Sequence, residues 1–290
     1  MPRHHRLALQ PAADPGPPSP GNGVGARRRA PAAPEPAALT VLKFGSSVLA
    51  RPDDYRAAAE VVAAEAARGR KVVAVVSAMG RTTDTLLAAA RSVTAAAPQP
   101  RIGALLATGE AASAALLTLA LRSLRVRATL VSASPAPIRT RGPLDDADPV
   151  HVDTGRIRAA FGRCDALVFP GFVGRDVSGA PSLLGRGGSD LTALFLGDAL
   201  GASEIRLVKD APGIFPQDPG GREGLLPHAE LKWDAARRIG GGVVVQAKAL
   251  DYAERRGVCF RVTGLAGAGT RVGEPRRPRA GGPGGSAVGR

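Results

Sequence analysis

The chain has 290 residues, enough for one large α/β domain or two small ones. Its net charge of +14 sits beside only 3% aromatic residues, and much of the excess lies at the ends, with five arginines against two acids in residues 1–38 and five against one in residues 271–290. That distribution argues against a specific nucleic-acid partner, and the two cysteines, Cys164 and Cys259, form no C-x-x-C pair that would imply a zinc or disulfide framework.

Residues 1–38 and 273–290 are rich in Pro, Ala, Gly and Arg without helical or strand period, and are expected to be disordered tails around a domain at 39–272. No apolar run reaches the length of a membrane span and the N-terminus has no signal-peptide core, so the expectation is a cytoplasmic protein with no membrane partner. A short apolar strand at 39–44 ends at Gly45 and leads into a helix at 52–68. Residues 71–76, nearly all valine, read as a buried strand. Helices at 83–95 and 102–121 follow, then a strand at 126–131, a Pro/Asp-rich loop to Pro149, a helix at 154–161 and a strand at 166–169. Residues 172–175 and 182–184 flank a turn and read as a hairpin. A helix at 190–200, a strand at 205–208, a helix at 245–255 and a strand at 258–262 complete the series. Both cysteines adjoin or enter strands and read as small buried hydrophobes. Such alternation predicts an α/β fold, a three-layer α/β/α sandwich with a mostly parallel sheet. Ligands bind such sheets beyond the carboxyl ends of the strands, where the polar and glycine-rich segments of this chain fall.

Several phosphate motifs are excluded. No lysine is followed by Ser or Thr, so there is no Walker-A loop, and no protein-kinase catalytic loop is present. Lys43-Phe44-Gly45-Ser46-Ser47 puts a lysine at a strand end before a small-residue loop, which suits a phosphate or simply a surface turn. Leu184-Gly185-Arg186-Gly187-Gly188-Ser189-Asp190 runs straight into a helix, so its free N–H groups and positive dipole end favour an anion. Within it Asp190 reads either as a helix cap or as a site residue. Val208-Lys209-Asp210-Ala211-Pro212-Gly213-Ile214-Phe215 offers a nucleotide loop with Phe215 against adenine, or a turn with Phe215 in the core. Thr108-Gly109-Glu110 places glycine inside a helix at a cost of about 1 kcal/mol relative to alanine, which marks close packing or ligand approach. Glu110 would then face the site or the solvent. None of the four histidines, in the tail or in loops, is placed as a general base.

In order, K-F-G-S-S, V-V-S-A-M-G, T-G-E, P-G-F-V-G-R, L-G-R-G-G-S-D and K-D-A-P-G-I-F resemble the catalytic domain of aspartate kinases, within the amino-acid kinase superfamily, from Leu39 to about Thr270. The resemblance implies the amino-acid kinase fold and ATP-dependent phosphorylation of the side-chain carboxylate of L-aspartate, with Mg2+. It assigns Lys43 to the transferring phosphoryl group and Asp190 to orienting the catalytic lysine. Ser77, Thr83, Glu110, Arg186 and Ser189 become substrate-site residues, Glu110 toward the ammonium and Arg186 toward the α-carboxylate. Gly45, Ser46, Lys209, Asp210, Phe215 and Lys248 become nucleotide-binding residues. A homodimer and a functional link to homoserine dehydrogenase are further implications.

The departures are specific. The family's K-F-G-G-(T/S)-S is shortened here, Val243 stands where the family has a phosphate-contacting lysine, and Asp218-Pro219 is followed by Gly220 rather than arginine. Lys248 is expected to compensate. No second βαββαβ pattern for the family's ACT domains is found, so lysine and threonine are expected to have no effector site. A kinase for glutamate or acetylglutamate, and a non-catalytic nucleotide-binding domain, are the alternative readings.

Overall fold

The computed structural model describes residues 37–131, 138–217, 225–240 and 244–274. Most of the two expected tails falls outside these residues, as do Val243, Asp218, Pro219 and Gly220. In chain order the elements are β1 (Leu39–Phe44), α1 (Asp54–Ala67), β2 (Lys71–Val76), α2 (Thr82–Val93), α3 (Gln99–Ser123), β3 (Ala128–Leu130), β4 (Arg139–Arg141) and β5 (Asp148–His151). Next come α4 (Thr154–Ala160), β6 (Ala166–Pro170), β7 (Val173–Arg175), β8 (Pro181–Leu183), α5 (Gly188–Leu200) and β9 (Glu204–Val208). The series ends with β10 (Glu230–Leu231), α6 (Trp233–Gly240), α7 (Ala247–Arg256), β11 (Phe260–Thr263) and β12 (Thr270–Val272).

Eight strands form the main sheet in the order β10-β12-β11-β9-β1-β2-β6-β3. Its pairings are parallel except that of β11 with β12. Side chains alternate across each strand, and the two resulting faces carry separate cores. Val41, Val73, Leu167 and Leu207 pack with Leu191 and Leu194 of α5 and Leu250 of α7. Leu42, Val72, Ala74 and Val168 pack with Ala58 and Val62 of α1 and Leu117 of α3. The sandwich is therefore three-layered, as the alternation of elements predicts. A smaller sheet, β5-β4-β7-β8, includes the expected hairpin, whose turn is held by Asp176 accepting from the N–H groups of Ser178 and Ala180.

Some elements depart from expectation. Strands β4 and β5 occupy part of the expected Pro/Asp-rich loop, and each buries one residue, Thr140 in β4 and Pro149 in β5. His151 is consequently a strand residue. Strands β10 and β12 and helix α6 had not been anticipated. Cys164 is buried as expected, whereas Cys259 is only half-buried. Helix α3, with a mean hydropathy of 1.6, is long and apolar enough to cross a membrane by length and composition, contrary to the reading above. Leu106, Ala114, Leu117 and Leu121 on one face are buried, and Glu110 is buried at mid-helix, so this hydropathy belongs to a helix that packs in a core.

At the end of the sheet where β1 and β9 begin, Glu65 of α1 is 5% exposed and takes Arg206 at 2.5 Å, Arg68 at 2.7 Å and Arg70 at 3.3 Å. Removing a buried carboxylate strands the cations that it neutralises. Glu65→Ala should lower the unfolding free energy by about 2–4 kcal/mol in urea denaturation. Glu60→Ala, which breaks only the exposed pair with Arg56, should change it by less than about 0.5 kcal/mol.

Candidate active site

At the opposite end of the sheet a cleft of about 830 Å³ opens beyond the carboxyl ends of β1, β2 and β9 and the N-terminus of α5. Lys43 enters it from β1 with only 6% of its side chain exposed. Gly45 and Ser46 line the cleft just after β1, and Gly45 N–H donates to the Val208 carbonyl, which ties this loop to the end of β9. Ser77 lines it just after β2.

Helix α5 starts at the glycine-rich loop. Gly187 is its N-cap at φ +77°, a conformation that L-residues avoid, and a Cβ there would run into the side chain of Gln246. Glycine lets the loop fold tightly against α7's N-cap, so that Gly188 and Ser189 open α5 toward the cleft. Asp190 is the third helical residue and does not cap the helix. Its Oδ1 takes Lys43 Nζ at 2.7 Å and Lys209 Nζ at 3.0 Å, and its Oδ2 takes Lys209 Nζ at 2.7 Å. Burial pushes the Asp190 carboxyl up, but the two ammonium groups outweigh it and hold the group below its ordinary value. Burial and the charge of Lys43 together lower Lys209 to about 8 against the opposing pull of Asp190. Arg186, beside Gly187, is exposed at the cleft and belongs to no described ion pair.

The cleft's other flank is made by α2 and α3. Gly109 serves close packing: a Cβ there would lie 3.0 Å from Thr82 Cγ2 and 3.3 Å from both Ala78 Cβ and Leu86 Cδ1. The start of α2, with Thr83 in the lining, therefore lies directly against α3, and Glu110 turns into the cleft. Glu110 is 3% exposed, and its Oε2 has no hydrogen-bond partner among the described residues. Burial lifts its carboxyl to about 8, although the Ala78 N–H and the charge of Lys43 pull the other way.

Of the loop after β9, Lys209, Asp210 and Phe215 all line the cleft. Ile214 takes the buried position and is 1% exposed, which leaves Phe215 half-buried at the cleft wall. Lys248 departs from expectation. It does not line the cleft, and its Nζ is held by Asp146 Oδ1 at 2.7 Å, the Asp146 carbonyl at 3.0 Å and the Ala147 carbonyl at 3.1 Å. Asp146 Oδ1 in turn occupies the space where a Gly185 Cβ would be, so Lys248 braces the glycine loop from behind.

The sequence reading did not single out Arg81, Asp84, Gln246 or the ring of Phe172, which also line the cleft. Arg81 and Asp84 follow Gly80 at the end of β2, a strand-end signal of the same kind as Lys43. Gln246 carried no such signal. Phe172 has φ +66°, held by a 3.1 Å bond from its N–H to Thr192 Oγ1. A non-glycine residue in that region stores about 1–3 kcal/mol, and such strain concentrates at ligand sites.

Lysines on a buried carboxylate, an exposed arginine and a helix N-terminus, all at the carboxyl edge of a parallel sheet, define a cleft suited to an anion. The sequence profile of the amino acid kinase family matches residues 38–263, and the chain belongs to that family. It is 34% identical over 231 residues to an aspartokinase of Thermus thermophilus, covering 78% of this chain and 56% of that protein. With an aspartokinase of Mycobacterium tuberculosis it shares 39% identity over 232 residues, covering 78% and 54%. The crystal structure of an aspartate kinase from Synechocystis superposes with a TM-score of 0.70 at 29% identity, covering 82% of this chain and 40% of that one. The chain thus spans about half the length of the curated relatives that it matches.

The buried Glu110 carboxyl has a consequence for stability. Its folded value of about 8 lies above the 4.5 of an unperturbed glutamate, so the folded state holds the proton more tightly than the unfolded one. Its contribution to stability is therefore fully present below about pH 4.5 and is lost as the pH rises toward 8. Glu110→Gln should be more stable than the parent by about 3 kcal/mol at pH 7. The difference in melting temperature should widen from pH 5 to pH 8 and then level off.

Proposed function

We propose that the chain transfers the terminal phosphoryl group of ATP to the side-chain carboxylate of L-aspartate, giving 4-phospho-aspartate. The observation that carries this reading is one cleft holding Lys43 and Lys209 on Asp190, with Arg186 and Glu110 on its walls. An amino acid with two carboxylates needs a cation for one, an anion for its ammonium and a cationic field where the other meets a phosphate. Arg186 can fork onto the α-carboxylate, and Glu110, unpartnered at Oε2, can accept from the ammonium. Ser77, Thr83 and Ser189 supply hydroxyls around the same space. The relatives called aspartokinase support aspartate over glutamate or acetylglutamate as acceptor.

The attacking carboxylate, with a reference pKa near 3.9, is ionised at neutral pH, so the reaction requires no general base. What it requires is alignment of two anions and neutralisation of charge on the phosphoryl group as it moves. Lys43 and the N-terminus of α5 point at that place from two sides, and Asp190 fixes the direction of the lysine. Gly45, Ser46, Asp210 and Phe215 line the same cleft and would take the nucleotide. Among the described residues no cluster of acids, histidines or cysteines could hold a metal by itself. Mg2+ would arrive on the phosphates and shield their charge, and Asp210, in the lining of the cleft, could help to hold it.

Homodimer formation is supported by apolar side chains left in water on neighbouring helices, Leu119 of α3 at 65% exposure and Val93 of α2 at 86%. The cytoplasm, which supplies both ATP and free amino acid, is the compartment that suits the reaction. The link to homoserine dehydrogenase rests on the family resemblance alone.

With Mg-ATP, aspartate should give an acyl phosphate that hydroxylamine traps. Faster trapping with glutamate or acetylglutamate would reassign the acceptor, and ATP binding without trapping for any acid would favour a non-catalytic domain. Lys43→Ala should lower kcat far more than it alters KM for aspartate, because its ammonium meets charge that develops during transfer. Arg186→Ala should instead raise KM for aspartate by the equivalent of about 2–3 kcal/mol, with a smaller change in kcat. Small and equal effects of the two changes would discredit this site.

A further inference from the structure

The cleft holds more cation than its fixed carboxylate needs. Lys43, on Oδ1 at 2.7 Å, already balances the charge of Asp190, yet Lys209 Nζ approaches both of its oxygens, at 3.0 and 2.7 Å. The side chains involved are 6% exposed for Lys43, 14% for Lys209 and 3% for Asp190. Two ammonium groups on one carboxylate leave an uncompensated positive charge in a poorly hydrated place, and each lysine repels the other. A structural ion pair gains a hydrogen bond at Oδ2 from the second lysine but keeps a net positive charge. An incoming polyanion gains a good deal.

The backbone explains how the two lysines meet. Strands β1 and β9 are parallel neighbours, with Lys43 opposite Leu207 and Phe44 opposite Val208, so Lys209 leaves the end of β9 beside the end of β1. Its N–H donates to the Thr263 carbonyl at 2.8 Å, which anchors the backbone while the side chain crosses to α5. The charged groups around it are Lys43 from β1, Asp190 from α5, Glu110 from α3, Arg186 from the glycine loop and Asp210 from its own loop. Lys43 and Lys209 therefore flank a single carboxylate oxygen, and a phosphoryl group within reach of one is within reach of both.

We propose that Lys209 is a second catalytic residue of phosphoryl transfer, meeting the terminal phosphate from the β9 side as Lys43 meets it from the β1 side. Asp190 holds both ammonium groups in register. Lys209 thus belongs to the reacting atoms, a narrower role than the nucleotide binding that the resemblance assigned it. The inference rests on the phosphotransfer reading of this cleft. The low value of Lys209, about 8, fits an ammonium whose proton is held loosely until a polyanion arrives.

The test uses the full 290-residue chain and Mg-ATP as the probe. Calorimetric titration at pH 8, in two buffers of different ionisation enthalpy, should show uptake of a fraction of a proton when Mg-ATP binds. Lys209→Arg should bind Mg-ATP without that uptake. In the trapping assay, kcat/KM for Mg-ATP of the parent should fall above about pH 8, and Lys209→Arg should shift that alkaline limb upward by a pH unit or more. Lys209→Met should lower kcat at least 100-fold, with less than a 5-fold change in KM for aspartate. Proton uptake unchanged in Lys209→Arg, or kcat of Lys209→Met within 3-fold of the parent, would overturn the proposal. If no acid yields an acyl phosphate, the acceptor reading fails, while the nucleotide titration still decides the role of Lys209.

Discussion

The carboxylate of Asp190, buried at the start of α5 with lysines from two neighbouring strands on its oxygens, is the contact on which the rest of the site depends. It ties together three elements that the hydrophobic core only brings near one another. β1 and β9 supply the lysines because they are adjacent and parallel, and α5 supplies the acid because it packs on the face of the sheet that carries Val41 and Leu207. Side-chain alternation puts Lys43 on that same face, two residues after Val41. Had β1 been shifted by one residue, Phe44 would face α5 and the lysine would be buried against α1 and α3.

Glycine does in the loop what charge does in the core of the site. Gly187, in the left-handed region with Gln246 filling the space of its missing Cβ, sets the direction in which α5 begins. Lys248 and Asp146 stand behind Gly185 and connect α7 to the segment before β5. The smaller sheet and the main domain thus meet at the loop that carries Arg186. A lysine that resemblance placed on the nucleotide instead serves as a brace, and its three oxygen partners explain why it is not spare for a phosphate.

The legible part of the fold was the part with continuous apolar strands. β1, β2 and β6 are buried on both faces, so their sequences are nearly unbroken apolar runs and their limits could be read closely. β4 and β5 bury one residue apiece, and neither leaves a run to detect; a proline within β5 adds to the disguise. β10 has two residues and owes its place to pairing with β12, a long-range contact without a local signature. The site was legible for a different reason. Its residues sit at strand ends or at the helix start in short polar and glycine-rich segments, where composition and position coincide. Lys248 was misplaced because its partners, Asp146 and Ala147, lie a hundred residues away in sequence and only the fold brings them to it.

Two perturbed groups of the cleft are displaced in opposite senses and arrive near the same value, Glu110 upward and Lys209 downward, each to about 8. Burial is the larger cause in both cases, so each would keep its charge more easily with a ligand beside it than with protein alone. Glu110 has an unpartnered oxygen that an ammonium would satisfy, and Lys209 has a like charge beside it that a phosphate would offset. The protein therefore carries two opposite electrostatic strains in one cleft, and a ligand's ammonium at one and phosphate at the other would relieve them. Folding stability is given up in exchange for affinity at those two points, a trade that a purely structural ion network has no reason to make. The Glu65 cluster at the other end of the sheet shows the contrast, since its carboxylate is ringed by three arginines of the chain itself, two of which, Arg68 and Arg70, are a third or more exposed. What distinguishes the working end of this domain is that its buried charges are arranged to be completed by something other than the chain itself.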